Sequence, residues 1–145
     1  MNNLYEEMNT FLADLTTLSV KVHNIHWNLK GDDFYTIHKL MDEFYEDLNE
    51  KIDTVAERLI VIGGRPIGSL KKVLAQTTLK ELDDHNLNSS EGFNHLIVDY
   101  NQLLQHANRL IKLADEENDY GTADDFTDFS KDFGKTLWML NSYIA

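Results

Sequence analysis

His26-Trp27-Asn28-Leu29-Lys30-Gly31-Asp32-Asp33-Phe34-Tyr35-Thr36-Ile37-His38, continuing through Asp42 to Asp53-Thr54-Val55-Ala56-Glu57-Arg58, is the stretch that decides how this chain folds. From Ile37 onward the apolar positions Met41, Phe44, Leu48, Ile52, Val55, Leu59 and Ile62 recur at steps of three and four, the period of a helix with one apolar face. The run stops at Gly63-Gly64-Arg65-Pro66, a sequence that ends helices. Polar residues on this helix are patterned as well. Steps of four separate His38 from Asp42 and Asp53 from Glu57, and the interval from Asp42 to Asp53 is about three turns, so the four share a face. Imidazole with carboxylate is a ligand mixture that iron, manganese or zinc accepts. At 1.5 Å per residue, however, His38 and Glu57 stand about 28 Å apart, and one ion cannot touch both within one chain.

A helix with ligands at both ends of one stripe completes a site by packing antiparallel against its own copy. That pairing sets His38 opposite the partner's Glu57 and Asp42 opposite the partner's Asp53, with the two-fold axis near Asp47 and Leu48. Such an isologous contact yields two equivalent sites. A turn around Gly31 brings His26 level with residues 36–38, so it joins the set. The expectation is a metal site shared between subunits.

The rest of the chain supplies three further helices. Leu4, Met8, Phe11, Leu15, Leu18, Val22, Ile25 and Leu29 alternate steps of four and three without a break. Phe93, Ile97, Tyr100, Leu104, Ala107, Ile111 and Ala114 form a third stripe, and Phe126, Phe129, Phe133, Leu137, Leu140 and Ile144 a fourth, with Thr122-x-x-Asp125 as its N-terminal cap. Four such helices predict an all-α, left-handed four-helix bundle in one domain over residues 1–145. Short links around 30–33 and 118–121 make the first and second, and the third and fourth, antiparallel neighbours. The link between the second and third is long, from Gly63 to Leu87, and apolar at Leu70, Val73, Leu74, Leu79 and Leu82, which predicts a short helix within a long crossover. One long crossover is the ferritin-like arrangement.

Composition narrows the function. With 145 residues and 42% hydrophobic content, the chain can bury a substantial core. It contains no cysteine, which removes disulfides and thiolate metal sites. The start, MNNLYEEMNT, lacks the basic and apolar regions of a secretory signal, and no apolar run approaches a membrane span. A soluble cytoplasmic protein is expected. The net charge of −12 opposes nucleic-acid binding and suits the attraction of cations.

The run His26-Trp27-Asn28-x-x-Gly31-x-x-Phe34-x-x-x-His38-x-x-x-Asp42-Glu43-x-Tyr45, followed by Asp53-x-x-Ala56-Glu57-Arg58-x-x-x-x-Gly63-Gly64, resembles the signature of the Dps family, the miniferritins also called DNA-binding proteins from starved cells. The motif covers residues 23–66, and the helix lengths and connections match over essentially the whole chain. The resemblance implies a hollow dodecamer of four-helix subunits, ferroxidase sites at two-fold interfaces, a stored ferric mineral, and hydrogen peroxide as the preferred oxidant. Carried over by residue, it places His26, His38 and Asp42 on one subunit and Asp53 and Glu57 on its mate, the division already reached from helix geometry. The catalytic and the metal-binding sets are therefore the same five residues, with iron as the metal. It also implies three-fold entry pores lined by acidic residues near the last helix, for which Asp115, Asp119, Asp124 and Asp128 are the candidates; helix-dipole complementation explains Asp124 and Asp125 equally well.

Other residues carry plainer expectations. Trp27 is read as a core aromatic, with a redox-active neighbour packed over the site as the alternative, His23 as a group supporting the ligands or a sixth ligand, and His85, His95 and His106 as structural or surface residues. No His has Glu three residues before it, and His-Glu-x-x-His is missing, which disfavours intra-subunit di-iron and zinc-protease chemistry. The chain stops soon after the fourth helix, which fits a dodecamer rather than a larger shell. DNA-binding members of the family carry basic tails; here no Lys or Arg precedes Lys21 and the end, NSYIA, has no basic residue, so DNA binding is not expected. The alternative function is a non-enzymatic, nucleoid- or stress-associated DNA-binding shell.

Overall fold

The computed structural model describes residues 2–145, so of the expected domain only Met1 lies outside the described residues. The fold is all-α. Its helices are α1 (Asn2–Asn28), α2 (Phe34–Val61), α3 (Leu70–Gln76), α4 (Ser89–Glu116) and α5 (Tyr120–Ile144). The four long helices form the bundle, and α3 lies in the crossover between α2 and α4, as the apolar crossover residues predict. No helix among the described residues is long and apolar enough to cross a membrane.

The α1 stripe is buried at every position from Leu4 to Leu29. Phe11 sits at the middle of the core, edge-on to Phe126 at 5.0 Å between ring centres and flanked by Phe129 and Phe133. Burying one such ring contributes roughly 1.5–3 kcal/mol. The third stripe departs from expectation. Phe93, Tyr100, Ala107 and Ala114 are buried as read, but Leu96, Leu103 and Leu110 replace Ile97, Leu104 and Ile111, which are only half-buried. α4 packs against both α1 and α5, so it needs a wider apolar arc than one seam, and the leucines lie nearer its centre. Ile52 and Ile62 are likewise half-buried, and Ile144 is exposed at the last turn.

The crossover runs alongside α1 and is fastened to it along its length. Asn9 bonds the backbone of Arg65 and Ile67. Asp14, fully buried, accepts from Thr77 Oγ1 at 2.7 Å, Thr78 N and Oγ1 at 2.6 Å each, and Leu79 N at 3.3 Å. Asn24 reaches Leu82 O, and Lys30 N donates to Leu87 O beside the α1–α2 turn. The polar backbone of a structureless segment is thereby satisfied, and α4 starts at the same end of the bundle as the α1–α2 turn.

The cap of α5 also differs from the sequence reading. Asn118, at φ +57°, ends α4, and Asp119 caps α5 by accepting from Thr122 N at 3.1 Å. Thr122 lies inside the helix, fully buried, and gives its hydroxyl to Asp119 at 2.6 Å.

Candidate functional site

The last turn of α1 and the first turns of α2 hold the first cluster of candidate residues. Gly31, at φ +136°, reverses the chain in a conformation that side chains rarely adopt. The turn sets the rings of His26 and His38 face to face, 3.6 Å apart and 7° from parallel. The two are locked reciprocally: His26 Nδ1 lies 2.5 Å from the carbonyl of His38, and His38 Nδ1 2.7 Å from the carbonyl of His26. A carbonyl oxygen only accepts, so each Nδ1 carries the proton and donates it. In the neutral ring this makes Nε2 the lone-pair nitrogen, the form in which imidazole binds a metal, with the ring orientation fixed by the other nitrogen. His26 Nε2 faces Asp42 Oδ1 at 3.5 Å. His26 is buried, His38 half-buried, and the Asp42 side chain is 57% exposed, so the cluster opens outward from the bundle.

Asp53 and Glu57 are not brought to this cluster within one chain. Both are exposed on α2, further along the same face. Among the described residues, no three His, Asp or Glu side chains of one chain converge tightly enough to hold an ion.

Aromatic rings surround the imidazoles. Phe34 stacks on His38 at 4.8 Å, and His23 stacks on Tyr45 at 3.5 Å, with Trp27 at 5.2 Å and His26 at 5.8 Å from His23. Burial and then the neighbouring His26 push the His23 pKa down, against a smaller pull upward from Asp42. Trp27 corrects the sequence expectation: it is 67% exposed rather than a core aromatic. α1 already buries Ile25, His26 and Leu29, and Trp27 points away from that face. That the second nitrogen of each imidazole is hydrogen-bonded is what metal-binding histidines are expected to show; that His26 and His38 lock each other was not legible, because it depends on two carbonyls whose directions no side-chain pattern encodes.

Against known proteins, residues 5–145 match the family model described as ferritin-like domain. The DNA protection during starvation protein of Helicobacter pylori is 33% identical over 141 residues, covering 97% of this chain and 98% of that protein. Among solved structures, Dps from Listeria monocytogenes superposes with a TM-score of 0.94 at 32% identity, covering 97% of this chain and 92% of that one. The Dps protein of Vibrio cholerae O1, described as a member of a broad superfamily of ferritin-like diiron-carboxylate proteins, gives 0.96 at 29% identity, with 99% and 90% covered.

This chain belongs to the Dps family. Its Dps signature includes the segment that builds the imidazole cluster; of the five candidate residues in that signature, His26, His38 and Asp42 meet there, and Asp53 and Glu57 do not.

The acidic residues of this Dps chain at the α4–α5 link separate by role. Asp115, Asp124 and Asp128 are exposed. Asp119 is engaged: it caps α5 and pairs with Arg58 Nη2 at 2.8 Å, while Arg58 Nε donates to Thr122 Oγ1 at 2.9 Å. Burial would raise the Asp119 carboxyl, but the bonds from Thr122 and Arg58 outweigh it and hold it below the usual value. Asp125 shifts the other way. Burial raises it most, Arg58 pulls against that, and Asp124, Asp128 and Asp119 crowd it further upward.

Proposed function

We propose that this chain, as one domain over residues 1–145, is the subunit of a cytoplasmic miniferritin shell of twelve copies that oxidises Fe(II) and stores the ferric product. His26, His38 and Asp42 of one subunit, with the partner's Asp53 and Glu57, form the ferroxidase site. The observation that carries this reading is the reciprocal locking of His26 and His38 through Nδ1, which leaves both Nε2 atoms free of that lock, that of His26 facing the exposed Asp42 carboxylate. Membership of the Dps family and the diiron-carboxylate description of the Vibrio cholerae relative support iron as the substrate. The wide spacing along α2 supports a site completed by a second copy.

In this reading neutral imidazoles and carboxylates hold Fe(II), and the hard carboxylate oxygens favour Fe(III) once it forms. Hydrogen peroxide takes up two electrons, one from each of two Fe(II). Its O–O bond breaks and two protons are consumed to give two waters, so no hydroxyl radical is released. The hydrogen bonds at Nδ1 keep both rings oriented, with Nε2 aimed outward, throughout. Exposed carboxylates at Asp115, Asp124 and Asp128 draw Fe(II) toward the shell. The relatives' names speak of DNA protection; removing Fe(II) and peroxide achieves that without contact, and a charge of −12 per chain opposes contact.

Stopped-flow oxidation of Fe(II) by the assembled protein, under peroxide and under oxygen, tests the proposal. A His26→Ala, His38→Ala double variant of equal assembly size is the comparison. Fast peroxide-driven oxidation in the parent and its loss in the variant are expected. Equal, slow oxidation in both would refute an interface ferroxidase.

A further inference from the structure

Lys51 and Arg58 lie seven residues apart on α2, two turns, and so share one stripe. Both leave α2 for α5. Lys51, buried, reaches Asp132 at 3.0 Å while holding Asp47 within its own helix. Arg58 spans Thr122 and Asp119. At about 100° of turn per residue, Arg58 falls within about 20° of Lys51 around the helix, whereas His38, Asp42, Asp53 and Glu57 fall about 140–240° away from it. α2 therefore has a tethered face and, opposite it, the face that carries four of the five candidate ligands.

We propose that Arg58 is a positioning residue: its bridge to Asp119 and Thr122 sets the rotation of the last two turns of α2, and so fixes where Asp53 and Glu57 point. The inference rests on the shared-site reading and adds a residue that touches neither metal nor oxidant. Rotation matters because side-chain tips stand about 6 Å from a helix axis, so a roll of about 10° moves a carboxylate by about 1 Å. Metal–ligand distances tolerate only about 0.2 Å.

The bridge is built as a fixed strut. Thr122 holds both oxygens of Asp119, its N–H donating to Oδ1, which also accepts from Arg58, and its hydroxyl donating to Oδ2; the Asp119 side chain is only 11% exposed. Gly121 leaves room for the guanidinium: a Cβ there would stand 2.6 Å from Arg58 Nη2.

Three variants loosen the strut without altering a candidate ligand. Asp119→Asn keeps a capping side chain, since Asn caps as well as Asp, but loses the ion pair. Gly121→Ala keeps every charge and displaces the guanidinium. Arg58→Gln removes it. Co(II) binding to the assembled apoprotein, read by its visible absorption at a temperature where each variant is folded and of parental size, reports both affinity and ligand geometry. His38→Ala is the control for the site itself.

The expected result is loss of the Co(II) bands in His38→Ala. Each strut variant should bind Co(II) about tenfold more weakly, with altered bands. Asp119→Asn added to Arg58→Gln should cost nothing more. Parental binding by His38→Ala would overturn the site reading and this inference with it. Loss in His38→Ala, with parental affinity and bands in Arg58→Gln and Gly121→Ala, would overturn the inference alone, whatever their melting temperatures. Should Arg58→Gln fail to assemble, Gly121→Ala decides in the same way.

Discussion

His106 is buried on α4, edge-on to Phe11 at 5.5 Å, and its Nε2 meets Glu7 Oε2 at 2.6 Å. Burial lowers its pKa, with Arg109 adding to that; Glu7 and, more weakly, Asp14 oppose it and do not prevail. The unfolded chain, with a pKa near 6.5, takes up a proton more readily than the folded one. The stabilisation is therefore complete above pH 6.5 and is lost as pH falls through that value toward the folded pKa. Melting temperature followed from pH 7.5 to 5.5 should fall more steeply in the parent than in His106→Gln; parallel curves would show that His106 does not titrate between the two states. Sequence reading placed His106 only as structural or surface, because Glu7 is 99 residues away and no local spacing links them. The same limit applies to Asp119. Its acidity was legible, but its pairing with Arg58 was not, since the partners meet only when α2 and α5 pack.

Among the elements, the α1–α2 turn does the most to build the site. Its place was legible from the end of one apolar stripe, the start of the next and Gly31 between them. What the turn achieves was not, because ring stacking and carbonyl direction depend on the angle at which the helices leave it. Gly31 has space for a methyl group, the nearest contact to an added Cβ being Asp33 Oδ1 at 3.7 Å, so only its φ of +136° resists substitution. Gly31→Ala should cost about 1–3 kcal/mol by urea unfolding and slow Fe(II) oxidation, because strain at this turn is relieved by moving His26 against His38. An unchanged unfolding midpoint would mean the turn relaxes freely. The α4 stripe shows a different limit. Period alone could not separate Leu103 from Leu104, since both continue an apolar pattern with Tyr100 and Ala107; the second packing partner, α5, decided which was central.

For the whole molecule, charge sets the outer behaviour. At −12 per chain, each added copy raises the repulsion of duplex DNA. The assembled protein should therefore leave the mobility of duplex DNA unchanged in a gel-shift assay at about 50 mM salt, where electrostatic binding is strong. Retardation there, abolished by higher salt, would restore a DNA-binding shell as a serious reading.

By itself the sequence determined the all-α bundle, the long crossover with its short helix, and the five residues on which the functional proposal stands. The bundle and crossover follow from periodic burial, and four of the five residues from spacing along one helix; His26 joins them through the short turn at Gly31 and the family signature, and all of these are local properties of the chain. Only the tertiary structure decided the tautomers of His26 and His38, the outward face of Trp27, the exact centre of the α4 stripe and the Arg58–Asp119 strut. These depend on groups far apart in sequence, or on backbone directions that no side-chain pattern records, and they exist only once the helices have packed.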